Sequence, residues 1–237
     1  MNLRPITSIE NIVKLIKNES KSCFMIAIGG GVSVGKTTFA NRLQGILLSH
    51  GISAQICSTD NFLKTNNELD RSQLQLKKGW PESYNWQSLL KFVHDFKRSE
   101  QQKYSVPNYC HKYYDILPNS FIHIEKAQVL ILEGVVALNP KLNADTNLGI
   151  YLDADVDSCK DWFVQRTLGL IKDAVGKPNN FYHRWSCWDE DKVLPVIHEC
   201  WENINIRNLN DNILQTKVYA DLVIEKAMDH KLKNFEV

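Results

Sequence analysis

Phe24-Met25-Ile26-Ala27-Ile28-Gly29-Gly30-Gly31-Val32-Ser33-Val34-Gly35-Lys36-Thr37-Thr38 opens on five consecutive apolar residues and closes on Gly-Lys-Thr-Thr. An apolar run with no polar alternation reads as a strand buried on both faces. From Gly30 to Thr37 the sequence matches G-x-x-x-x-G-K-[ST] at every fixed position. Glycines there let the N–H groups of Gly31, Val32, Ser33 and Val34 curl round phosphate oxygens with no Cβ in the way. The helix predicted to begin near Lys36 turns its positive dipole end into that cradle. Lys36 can bridge terminal phosphates of a nucleotide, and Thr37 can offer its hydroxyl to Mg²⁺. A glycine-rich turn could match by chance. The context argues against it, because an apolar strand precedes the loop and Phe39, Leu43, Ile46 and Leu47 give the following helix one apolar side, ending near Gly51.

Outward from this unit, strands and helices alternate. Upstream, Thr7 and Glu10 have capping-box spacing before a helix with Ile9, Ile12, Val13 and Ile16 on one face. Downstream, Ala54–Cys57 reads as a second strand, and the polar segments Asn66–Gln75 and Gly79–Pro81 read as a loop or short excursion. Trp86, Leu89, Leu90 and Val93 mark a helix with Asn85 as cap. Val129–Leu132, Ile150–Leu152 and Leu222–Ile224 supply three more strands, with helices around Ser158–Lys172 and Glu190–Asn203. This alternation predicts an α/β P-loop NTPase fold, a mostly parallel sheet with helices on both faces. No repeat or linker divides the chain, so residues 1–237 are expected to form a single P-loop domain.

Composition narrows the partners. The chain is 43% hydrophobic and 23% charged, with a net charge of +1. It therefore has no broad electrostatic pull towards nucleic acid or an anionic membrane, and a small anionic ligand fits better. The six cysteines form no C-x-x-C pair and have no clustered histidines, so free thiols in a reducing cytoplasm are expected. Met1–Lys21 lacks the apolar run of a signal peptide, and the apolar stretches are strand-length, too short to span a bilayer. The expectation is a cytoplasmic protein with neither nucleic-acid nor membrane partners.

Nucleotide binding leaves three classes open: a phosphotransferase, a nucleotide-driven switch and a binding regulator without turnover. A guanine-reading switch would carry N-K-x-D late in the chain, and no such string occurs. Asp60 ends the second strand in Ser58-Thr59-Asp60-Asn61, where open α/β sheets place their ligands. There a carboxylate can take the proton of an attacking hydroxyl, although Asp also caps helices and forms turns. Glu133 ends the Val129–Leu132 strand and can support Mg²⁺, or can instead be satisfied by a backbone N–H. Arg166 lies three residues after Phe163 on a predicted helix, so the two share a face. It can stabilise a phosphoryl group in transfer or form a surface salt bridge.

Gly30–Thr38, Ser58–Leu63, Lys77–Tyr84, Val106–Pro118, Leu130–Gly134 and Asn208–Thr216 together resemble the type I pantothenate kinases, within the group that includes uridine kinase and phosphoribulokinase. The likeness runs from about Ser22 to His230. Its most discriminating strings are Lys-Lys-Gly-Trp-Pro-Glu-Ser-Tyr from Lys77 and Tyr-Cys-His-Lys-Tyr-Tyr-Asp from Tyr109. It implies transfer of the ATP γ-phosphate to pantothenate, the opening step of coenzyme A synthesis, with Asp60 as base and Lys36 and Arg166 on phosphate. It also implies that Tyr109, His111, Tyr114, Phe163, Phe181, Tyr182 and Asn208 line the pantothenate pocket, with Lys226 and His230 near adenine. A homodimer and coenzyme A feedback are implied as well. A sister kinase acting on another small alcohol or nucleoside is the alternative.

The chain departs from that pattern at several positions. Phe163 stands where the family has Tyr, and Gln215 and Lys217 replace Pro and Arg. Asn41 occupies a position where a basic residue helps hold anionic coenzyme A, so weaker feedback inhibition is expected.

Overall fold

The structure is a computed structural model that describes residues 6–19 and 23–236. Most of Met1–Lys21 is described, but residues 1–5 and 20–22, including Ser22 at the start of the resemblance, lie outside the described residues. The strands are β1 (Phe24–Gly30), β2 (Ala54–Ser58), β3 (Lys103–Cys110), β4 (Asp115–Glu125), β5 (Val129–Glu133), β6 (Leu148–Asp153) and β7 (Leu222–Glu225). Five of them form one sheet in the order β2-β5-β1-β6-β7, and every pairing in it is parallel. β1, at the centre, is buried along its whole length, as its unbroken apolar run requires.

Side chains alternate between the two faces of the sheet. Phe24, Ile26, Ile28, Ile131 and Ile150 pack against α1 (Ile9–Asn18) and the inward side of α2 (Lys36–Ser49). Met25, Ala27, Leu130, Leu132 and Tyr151 face the other way, beneath α4 (Trp86–Arg98). Asn85 caps α4 by accepting from the Ser88 N–H at 3.1 Å, as expected. α1 is capped one residue later than its sequence pattern suggests. Ser8 Oγ accepts from Asn11 N at 3.3 Å, while Glu10 reaches His50 rather than the cap.

Two elements differ from expectation. The segment read as a loop contains α3 (Asn66–Arg71), closed by a full Thr65/Glu68 capping box. Leu69 is the sole residue it buries, so it has no apolar periodicity to betray it. β3 and β4 form an antiparallel hairpin beside the main sheet, with a register shift between Pro107 and Tyr109.

After α5 (Val156–Asp173), α6 (Glu190–Cys200) runs into a π-helical stretch, Trp201–Asn205. A single α-turn, α7 (Ile206–Asn208), and a second π stretch, Leu209–Ile213, follow. Leu209 and Ile213 join the core beneath the sheet, which fixes this irregular helix against the site.

Candidate active site

The C-terminal ends of the parallel strands carry the chemistry, as open α/β sheets arrange it. β1 runs into the glycine loop, β2 into Asp60, β5 ends on Glu133, β6 leads to α5 and β7 to Lys226. Register holds three of these ends together, since Glu133 of β5 pairs with Ile28 of β1 and with Ser58 of β2.

In the loop, Gly35 is the residue before α2 and has φ 97°. That positive φ favours glycine, and a Cβ there would lie 2.6 Å from Lys226 Nζ, so the lysine tip would have to shift. Lys226 Nζ donates to Val34 O at 2.9 Å. Lys36 is nearly buried and donates to Gly31 O at 2.7 Å and Gly30 O at 3.2 Å. Burial pushes its pKa down, opposed by the Glu133 and Asp60 carboxylates. Ser33 Oγ is buried without a hydrogen-bond partner among the described residues. An orphaned hydroxyl in a glycine loop with a buried cation beside it fits an absent polyanion. Thr38 is exposed in the first turn of α2.

Thr37 Oγ1 donates to Glu133 Oε1 at 3.2 Å. Glu133 is 5% exposed, and burial raises its pKa against the pull of Lys36. A hydroxyl and a buried carboxylate side by side are hard oxygen donors suited to Mg²⁺, which takes few protein ligands beside nucleotide phosphates. Among the described residues no group of three His, Cys, Asp or Glu forms a metal cage.

Asp60 lies in the tight turn Thr59–Phe62, its N–H donating to Ser58 Oγ at 3.3 Å. Tyr84 OH donates to Asp60 Oδ1 at 3.2 Å. Burial and the neighbouring Asp60 charge hold the Tyr84 phenol well above its ordinary pKa, so it stays a donor.

Facing Asp60 is an aromatic enclosure. Tyr109 N donates to Asn61 Oδ1 at 3.2 Å, tying the hairpin to the Asp60 turn, and the Tyr109 ring meets His111 edge-on at 5.1 Å. Tyr114 stacks on Phe181 at 4.6 Å, and Tyr182 meets Phe181 edge-on at 5.2 Å. Lys78 sits over the Tyr114 ring at 4.2 Å and the Tyr109 ring at 5.3 Å. Burial lowers its pKa to about 8 despite the charges of Asp115 and Asp60.

Arg166 is exposed on α5 and forms no salt bridge among the described residues, so the surface-pair alternative is not what it adopts. Its charge is felt at Lys36, where it adds to the downward push of burial, and at Tyr182, where it opposes the burial that raises the phenol's pKa. Phe163 packs against Trp201 at 5.6 Å. Asn208 is buried, donates to Gly79 O at 2.9 Å and accepts from Asn212 Nδ2 at 3.0 Å. Lys226 and His230 meet at Trp162: Lys226 lies over its ring at 4.7 Å and His230 stacks on it at 4.6 Å. The sequence reading gave no role to Trp162, Lys78 or Tyr84. The last two lie inside the quoted Lys77–Tyr84 motif, a signal that was present without a geometry to read it by. Of the departures, Lys217 forms an ion pair with Asp153 at 2.6 Å, and Asn41 is exposed on α2.

A phosphate loop on the central strand β1, with Glu133 at the end of the adjacent β5 and Asp60 just after β2, the next strand out, is the frame of a P-loop phosphotransferase. Residues 25–169 match the phosphoribulokinase/uridine kinase family. The chain is 37% identical over 227 residues to a pantothenate kinase of Lactiplantibacillus plantarum, covering 92% of this chain and 73% of that protein. It is also 37% identical over 225 residues to a pantothenate kinase of Rhodopseudomonas palustris, covering 90% and 70%. Among solved structures, a D-glycerate 3-kinase from Cryptococcus neoformans superposes with a TM-score of 0.59 at 9% identity, over 96% of this chain and 99% of that one. Phosphoribulokinase from Rhodobacter spheroides gives 0.54 at 14% identity, over 85% and 69%. These two likenesses concern the fold alone.

The chain belongs to the phosphoribulokinase/uridine kinase family and, within it, to the pantothenate kinases. It is an ATP-dependent phosphotransferase with a small-molecule acceptor. No helix among the described residues is long and apolar enough to cross a membrane.

Proposed function

We propose that this chain transfers the γ-phosphate of ATP to the primary hydroxyl of pantothenate, giving 4'-phosphopantothenate. The observation that carries the reading is Asp60, held by Tyr84 at the sheet edge that also bears Lys36 and Glu133, and facing the Tyr109–Tyr114 enclosure. The relatives named pantothenate kinase support the choice of acceptor.

In this reading Gly30–Thr38 wrap the nucleotide phosphates with backbone donors, and Lys36 leaves the loop carbonyls to engage the terminal phosphates. Thr37 and Glu133 would hold Mg²⁺, which supplies positive charge to the β- and γ-phosphates. Asp60 accepts the acceptor's hydroxyl proton as the oxygen attacks, and Arg166 balances charge on the moving phosphoryl group. Tyr109, His111, Tyr114, Phe163, Phe181, Tyr182, Asn208 and Lys78 shape the acceptor site, while Trp162, Lys226 and His230 take the adenine. The same reading has residues 1–237 working as one kinase domain in the cytoplasm, as a homodimer, without nucleic-acid or membrane partners. It also has coenzyme A bound more weakly than in relatives, because Asn41 brings no charge to it.

ADP release measured against pantothenate, uridine and other small alcohols tests the reading. Pantothenate is expected to give the highest kcat/KM, and Lys36→Ala is expected to abolish it. Preference for another alcohol would assign a different acceptor. No ADP release with any acceptor would leave a nucleotide-binding regulator.

A further inference from the structure

Tyr114 is one of the few non-glycine residues with positive φ, at 53°. A side chain rarely holds that conformation unless its surroundings impose it. Here they do. The Tyr114 carbonyl accepts from Asn66 Nδ2 at 3.1 Å and from Lys78 Nζ. Asn66 Oδ1 in turn accepts from Lys78 Nζ at 2.6 Å, and Asn66 N donates to Asp115 Oδ1 at 3.0 Å. That carboxylate oxygen also accepts from Ile116 N at 2.8 Å. The Asn66 carboxamide thus holds the Tyr114 carbonyl and the ammonium above the Tyr114 ring, while its backbone N–H holds Asp115.

We propose that Asn66 is a positioning residue for the acceptor site. Through the Tyr114 carbonyl and Lys78 it fixes the aromatic wall that Tyr114 builds with Phe181, and so sets acceptor affinity without touching the acceptor. The Thr65/Glu68 capping box explains why so short a helix persists there, since it anchors the N-terminal turn from which Asn66 projects. Released from Asn66, Tyr114 relaxes towards negative φ, its ring leaves the Phe181 stack, and Lys78 loses an acceptor. The ATP side is unaffected, because no residue of the phosphate loop bonds to Asn66.

The inference rests on the reading of the enclosure as the acceptor site, and the experiment separates the two. Asn66→Ala removes donor and acceptor. Asn66→Asp keeps the acceptor for Lys78 but puts a carboxylate against the Tyr114 carbonyl. Both variants are expected to raise the pantothenate KM about tenfold, with the ATP KM and kcat within about twofold of the parent. Hydrogen exchange in the 110–116 segment is read in parallel, and both variants are expected to speed it about tenfold. An unchanged pantothenate KM, or both KM values rising together, overturns the inference. If the parent does not phosphorylate pantothenate, the reading of the acceptor fails, and exchange decides the Asn66 clamp alone: unchanged exchange overturns it and faster exchange upholds it.

Discussion

Lys78 shows how one side chain can be placed at a cost. The residue is 8% exposed and its ammonium lies over two aromatic rings, so desolvation lowers its pKa from 10.5 to about 8. Below pH 8 the folded and unfolded chains both carry the charge, and the folded one bears the desolvation. Between pH 8 and 10.5 the folded chain sheds a proton that the unfolded chain keeps. The unfolded state then binds more protons, and stability rises with pH across that window. The stability of the parent minus that of Lys78→Met should therefore grow from pH 8 to 10.5, by up to roughly 3 kcal/mol, and be flat on either side. Denaturant titrations at a series of pH values check this, and a constant difference contradicts it. Sequence alone flagged Lys78 only as part of a motif. What it does depends on β3 and β4 meeting the Gly79 loop, which no local pattern announces.

Among the elements, the end of β5 is the most tightly constrained. Gly134 has φ 148°, and a Cβ there would stand 1.8 Å from Thr59 Oγ1 in the turn that carries Asp60. Gly134→Ala should destabilise the protein by at least about 2 kcal/mol and lower turnover, because the Asp60 turn must move. A wild-type melting temperature with wild-type kcat would contradict that.

β5 itself was legible from its apolar run, as were β1, β2, β6, β7, α2, α4 and α5. α3 and the β3–β4 hairpin were not. The cap signal Thr65-x-x-Glu68 was present, but α3 buries one residue, and β4 is exposed along most of its length with Pro118 inside it. Pattern reading detects burial, and these elements have little. They are nevertheless the ones that build the aromatic enclosure proposed to take the acceptor, so only the phosphate half of the site was readable from local sequence. The acceptor half came only from resemblance.

Across the whole molecule, all six cysteines are free, with Cys23, Cys57 and Cys159 buried and Cys187 exposed. Burial pushes the Cys57 thiol up to about 12 and the Cys159 thiol to about 11. Thiolate is the reactive form, so at pH 8 a thiol reagent should modify Cys187 quickly and reach Cys57 and Cys159 only after denaturation. Rapid labelling of Cys57 in the folded protein, located by peptide mass, would contradict the packing of β2 against the sheet.

The molecule as a whole delivers two carboxylates, a lysine and an aromatic enclosure to the C-terminal ends of a parallel sheet, where Asp60 is proposed to activate the acceptor. Asp60→Asn keeps the size of the side chain and an acceptor for Tyr84 but is a far weaker base. The direct measurement is kcat for pantothenate phosphorylation in the parent and in Asp60→Asn, with ATP affinity measured on the same samples. The expected result is a fall in kcat of about 10²–10⁴ with ATP affinity within about twofold. Equal kcat in the two proteins would contradict the account and leave Asp60 as a turn-forming residue.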